Sequence, residues 1–128
     1  MRPGKRIRFK IREFMCGAAG LACIFAIVQP VWAHAILLEA TPAKNATAVG
    51  PSLSVELRFN CRIDGRRSRL TLVLPTQVLR PLAVQPQASP HKLNAQDKDL
   101  EPGSYRLRWQ VLASDGHITR GEIPFVIK

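Results

Sequence analysis

Two segments far apart in the chain carry side chains that could share one metal ion: His34 in one, Asp115 and His117 in the other. His34 follows Val31-Trp32-Ala33, whose first and third residues are small enough for a signal peptidase, so cleavage after Ala33 would make His34 the first residue of an exported protein. An N-terminal histidine offers one ion both its free amine and its imidazole Nδ1, closing a six-membered chelate ring. Asp115-Gly116-His117 supplies an oxygen and a further nitrogen, and residues two apart in extended backbone face the same side. Three nitrogens and one oxygen form the tetragonal set that Cu(II) prefers, and Cu(II) heads the divalent affinity order. One Cu(II) ion is the expected occupant. Asp-Gly-His alone is a weak signal, because Asp-Gly is a common turn dipeptide and a surface histidine is usually just solvated. Its weight comes from the conjunction with a processed His34.

The elements that must deliver His34 begin with the leader. Arg2, Lys5, Arg6, Arg8, Lys10 and Arg12 form a basic head offset by Glu13, and Phe14 to Val28 is uncharged and mostly apolar. Residues 1–33 therefore read as a signal peptide and residues 34–128 as the mature domain. Phe14 to Ala33 is also about long enough for an uncleaved membrane anchor. Gln29, Pro30 and the small-residue ending favour cleavage. Cys23 lacks a large apolar residue three positions upstream, so a lipoprotein is not expected, and the head contains no twin-arginine pair.

Export changes the charge and cysteine arithmetic. The chain has 19 Lys and Arg against 9 Asp and Glu; the first 33 residues take six of the cations and one of the acids, leaving 13 against 8. The mature net charge is then +5 in place of +10, and the cations are dispersed apart from Arg66, Arg67 and Arg69. That cluster reads as a solvated turn and strand edge, no nucleic-acid motif accompanies it, and nucleic acid is not an expected partner. Cys61 alone remains of the three cysteines, which excludes an internal disulfide. A buried or half-buried thiol at a strand end is the expected state, with a redox-active copper ligand or an intermolecular disulfide as the alternatives.

The 95 residues from His34 to Lys128 suffice for one domain, and their periodicity is that of strands. Leu53, Val55, Leu57 and Phe59 alternate with polar residues, as do Tyr105, Leu107, Trp109 and Val111, then Ile123, Phe125 and Ile127. Weaker strands are expected over Ala35 to Ala40, Ser68 to Leu74, Gln77 to Val84, and near Lys92 to Ala95. About seven short strands and no amphipathic helix predict an all-β, Greek-key, immunoglobulin-like sandwich. Pro102-Gly103-Ser104-Tyr105 resembles a tyrosine corner, in which the hydroxyl bonds back to upstream backbone. If successive strands reverse direction, the first begins at the pole where the sixth ends. His34 would then meet Asp115 and His117 across some eighty residues of sequence.

His34-Ala35, Thr41-Pro42-Ala43, Val55-Glu56-Leu57-Arg58-Phe59, Pro102-Gly103-Ser104-Tyr105, Ser114-Asp115-Gly116-His117 and Gly121 occur in the order found in the CopC family of periplasmic copper-resistance proteins, which residues 34–128 resemble throughout. The resemblance implies a Cu(II) site on the N-terminal His, the Asp and the His of the late motif, here His34, Asp115 and His117. It also implies a periplasmic location and an inner-membrane copper transporter of the CopD type as partner. Some members add a methionine-rich Cu(I) site, but the methionines here are Met1 and Met15, both in the leader, so a Cu(II)-only binder is expected. Cys61 stands where relatives usually carry an acidic or polar residue. No family role falls to His91, which is expected to be solvated.

The expected protein is a monomeric copper carrier or buffer and not an enzyme. Two other classes fit parts of the sequence. Polysaccharide monooxygenases also use an N-terminal His brace for copper, but Phe59, Tyr105, Trp109 and Phe125 all fall at expected core positions, which leaves no aromatic substrate face. An exported interaction domain without metal would need only the sandwich.

Overall fold

The computed structural model describes Gly4 and residues 34–128; the rest of the leader, with its cleavage site, lies outside the described residues. Eight strands follow in chain order: β1 Leu37–Thr41, β2 Thr47–Ala48, β3 Leu53–Phe59, β4 Ile63–Val73, β5 Leu79–Leu82, β6 Lys92–Asp97, β7 Gly103–Ala113 and β8 Ile118–Ile127. No helix occurs among the described residues. Alternation sets which face is buried. Leu53, Val55, Leu57 and Phe59 of β3 point into the core, as do Tyr105, Leu107, Trp109, Val111 and Ala113 of β7 and Ile123, Phe125 and Ile127 of β8. A one-residue slip of β3 would turn its four apolar side chains to water, at about 1.5–3 kcal/mol for each large one, so the register is firmly specified.

The strands form a three-stranded sheet, β1-β3-β6, and a five-stranded sheet, β2-β8-β7-β4-β5. The chain crosses between them from β1 to β2, back from β2 to β3, and again from β3 to β4, from β5 to β6 and from β6 to β7, giving the Greek-key, immunoglobulin-like sandwich. Phe59 meets Trp109 edge-on across the two layers with ring centroids 5.3 Å apart, and Tyr105 stacks on Phe125 at 5.7 Å. Tyr105 Oη donates to the carbonyl of Glu101 at 2.6 Å, so the tyrosine corner is present. Trp109 stands opposite Gly121 in the β7–β8 register, and its indole lies over the space where a side chain at 121 would project.

Two elements differ from the expected seven strands. β2 is an additional two-residue strand that pairs parallel with β8. Asn45 N–H donates to Pro124 O at 2.7 Å and Val126 N–H to Ala46 O at 3.0 Å, so backbone bonding places β2 where no apolar run announces it. β4 begins at Ile63, five residues before the expected start at Ser68. Its pairing with β7 is interrupted by a bulge between Asp64 and Arg69. Buried Ser68 fills the break: its hydroxyl donates to Asp64 O at 2.6 Å and accepts from Leu112 N–H at 3.2 Å. Arg66, Arg67 and Arg69 are exposed around this bulge, as a solvated edge requires.

Candidate metal centre

His34 belongs to a short arm that leads into β1. Ala35 is buried in the core while His34 and Ile36 on either side are exposed, so one methyl anchors the arm. Ile36 N–H donates to Asn60 Oδ1 at 2.7 Å, and Asn60 N–H donates back to Ile36 O at 3.0 Å. The arm is thereby fixed to the end of β3.

The second segment is the β7–β8 hairpin. Gly116 N–H donates to Ala113 O at 2.9 Å and closes a four-residue turn, while Ala113 N–H donates to His117 O at 2.9 Å. Gly116 has φ 89°, in the left-handed region that favours glycine, which matches a three-residue hairpin loop ending in a left-handed residue. Asp115 and His117 converge, but the cause is this turn and not extended backbone. Asp115 Oδ1 accepts the His117 backbone N–H at 3.0 Å, and Oδ2 lies 3.1 Å from His117 Nδ1. The first of these contacts is the largest influence holding the Asp115 carboxyl below its ordinary range; partial burial opposes it, and the His117 ring adds to it.

The two segments meet. The imidazoles of His34 and His117 approach with centroids 5.8 Å apart and planes at 73°. His117 is thus in contact with both of the other expected site residues. With side-chain exposures of 34% for His117 and 30% for Asp115, the pair is open to a small ion arriving from solvent. Among the described residues no group of three or more His, Cys, Asp or Glu is gathered for metal binding as it stands. Both Asp115 oxygens are engaged with His117, and in the unprocessed chain the nitrogen of His34 is an amide, so its amine donor requires cleavage. A proton on His117 Nδ1 would point at Asp115, the arrangement that commonly orients a metal-binding imidazole.

Cys61 follows β3 and is half-buried. Burial pushes its thiol up, and the negative charge of Asp115 adds to that, which puts Cys61 within the electrostatic reach of the hairpin turn. At neutral pH it is a protonated thiol. His91 is half-buried in the loop before β6, its carbonyl accepting from Phe59 N–H at 2.8 Å. Asn60 has no sequence signature; its role comes from a bond to a residue 24 positions away.

Comparison with known proteins follows the same lines. The CopC domain model matches residues 37–128, a range that includes Asp115 and His117 and begins three residues after His34. Protein YobA of Escherichia coli K12 is 30% identical over 111 residues, covering 80% of this chain and 85% of YobA. Copper resistance protein C of Xanthomonas campestris pv. juglandis is 30% identical over 105 residues, covering 76% of this chain and 82% of that protein. Among solved structures, CopC from Methylosinus trichosporium OB3b superposes with a TM-score of 0.70 at 29% identity, over 74% of this chain and 94% of its own. PcoC, a methionine-rich copper resistance protein from Escherichia coli, superposes at 0.60 with 25% identity, over 75% of this chain and all of its own. Sequence and architecture agree: the chain belongs to the CopC family.

Proposed function

We propose that this protein is a periplasmic carrier or buffer for a single Cu(II) ion, bound by His34, Asp115 and His117 after cleavage behind Ala33. The observation that carries this reading is the contact of His117 with both His34 and Asp115, from opposite ends of the mature sequence. Membership of the CopC family and the copper-resistance relatives support copper as the ion. The amine and imidazole of His34 and the ring of His117 supply nitrogen, and Asp115 supplies oxygen or holds the His117 ring in place. PcoC is described as methionine-rich, whereas here Met1 and Met15 are the only methionines and both precede His34, so the exported form binds the oxidised ion alone. Delivery to or from a CopD-type inner-membrane transporter fits a carrier with an exposed site. All four aromatic residues of the described domain, Phe59, Tyr105, Trp109 and Phe125, are buried, which disfavours a polysaccharide-oxidising enzyme.

The test begins with expression of the full chain, recovery of the processed protein from the periplasmic fraction, and its intact mass. Cu(II) titration followed by electron paramagnetic resonance comes next. A mass starting at His34, one tight equivalent and a nitrogen-rich tetragonal spectrum are expected, with the spectrum lost when a glycine is inserted between Ala33 and His34. A different N-terminus, or indistinguishable spectra with and without the inserted glycine, would overturn the assignment.

A further inference from the structure

The two segments of the candidate site belong to different sheets. The His34 arm leads into β1 at the edge of the three-stranded sheet, and the Asp115–His117 turn joins β7 to β8 in the five-stranded one. Groups on separate layers bind a common ion well only when their spacing is preset by supporting contacts. The connection from β3 to β4 provides those contacts at both ends. Asn60 takes both backbone polar groups of Ile36, through its side-chain Oδ1 at 2.7 Å and its own N–H at 3.0 Å. Two residues further on, the carbonyl of Arg62 accepts Ser114 N–H at 3.0 Å. Ile36 is two residues from His34, and Ser114 immediately precedes Asp115. Cys61 alone separates Asn60 from Arg62, so the span between the anchors is at most about 7 Å.

We infer that the Asn60-Cys61-Arg62 connection is a clasp that sets His34 against His117, and that Asn60 is a positioning residue for Cu(II) binding; this rests on the copper reading above. Arg62 acts through its backbone, which any residue supplies. Asn60 acts through a side-chain oxygen, so its identity matters. Ile36 is exposed, and its N–H would find water if Oδ1 were removed. Losing this bond therefore loosens the arm, which the Asn60 N–H and buried Ala35 still hold, and leaves the sandwich core in place, which separates a positioning role from a structural one.

The experiment compares wild type with Asn60→Ala, Asn60→Asp and His117→Ala, each processed from the full chain. In metal-free protein, Asn60→Ala is expected to speed amide hydrogen exchange at Ile36 with little change in thermal midpoint. Its Cu(II) affinity, from chelator competition, should fall about tenfold, the equivalent of one lost hydrogen bond, with an altered resonance spectrum. Asn60→Asp keeps an acceptor oxygen and should restore slow exchange at Ile36 and the wild-type spectrum. Wild-type exchange, affinity and spectrum in Asn60→Ala would overturn the clasp. If His117→Ala binds copper as tightly as wild type, the copper reading fails on its own account, and exchange at Ile36 in metal-free Asn60→Ala still decides whether the clasp exists.

Discussion

Asp115 grips His117 twice, accepting its backbone N–H on Oδ1 at 3.0 Å and standing 3.1 Å from its Nδ1 with Oδ2. One carboxylate thus fixes both the path of the turn and the direction of the ring. Removing the ring and removing its support should differ in size. His117→Ala deletes a nitrogen donor and is expected to weaken Cu(II) binding by well over a hundredfold. Asp115→Ala should weaken it by about 10–100-fold, as loss of a partner that orients a metal-binding imidazole commonly does. Chelator-competition titrations at fixed pH measure both. Negligible effects from the two variants alike would remove this turn from the site.

Acid should act in two separable stages. Amine and imidazole nitrogens must lose protons to bind a cation, so copper release is expected as pH falls below about 5–6. Asp115 responds later. Its carboxyl is held below the ordinary value of 3.8, chiefly by the His117 N–H, so its contribution to folding is fully present above that value and is lost as pH falls through the depressed one. In metal-free protein, the difference in urea midpoint between wild type and Asp115→Asn should shrink as pH falls below about 4. A difference that grows below that pH would contradict this sign.

The parts of the fold that bury an apolar stripe are legible in the sequence, and the parts held by backbone or by distant polar bonds are not. The runs Leu53–Phe59 and Tyr105–Val111 read as strands because each second residue enters the core. β2 contains only Thr47 and Ala48 and exists through parallel pairing with β8, so no local pattern reveals it. The start of β4 is hidden because Gly65, Arg66 and Arg67 break the alternation at a bulge that buried Ser68 completes. Alternating strand directions were enough to bring His34 and His117 to one pole. The convergence of Asp115 with His117 follows from the left-handed Gly116, and a local extended spacing reaches the same pair for another reason. Asn60 escapes notice because an asparagine after a strand usually means only a turn.

Cys61 should report on Asp115 without any metal. Burial raises its thiol pKa first and the Asp115 charge second, so the reactive thiolate is scarce at neutral pH. Alkylation of the native protein is expected to be slow at pH 7 and to accelerate steeply at alkaline pH. Asp115→Asn removes the negative charge and should increase the neutral-pH rate, while Glu122→Gln, a change on β8 that is not among the influences on this thiol, should not. Equal rates in wild type and Asp115→Asn would mean that the carboxylate and the thiol do not sense each other.

Gly121 tests the packing around Trp109. A methyl group at this position would fall inside the van der Waals envelope of the Trp109 indole, at Cζ2, Cε2 and Nε1. Trp109 cannot easily yield, because Phe59 packs edge-on against it from the opposite sheet. Gly121→Ala is therefore expected to destabilise the domain by about 1–3 kcal/mol, the usual range for an overpacked core. In a domain of this size that lowers the thermal midpoint by about 4–8 °C per kcal/mol. Trp109→Phe withdraws the larger ring, so the double variant should be less destabilised than the sum of the two single ones, a coupling that a double-mutant cycle measures directly. Strict additivity would mean that the indole and the glycine are independent, and that the close β7–β8 approach at this register pair has another cause.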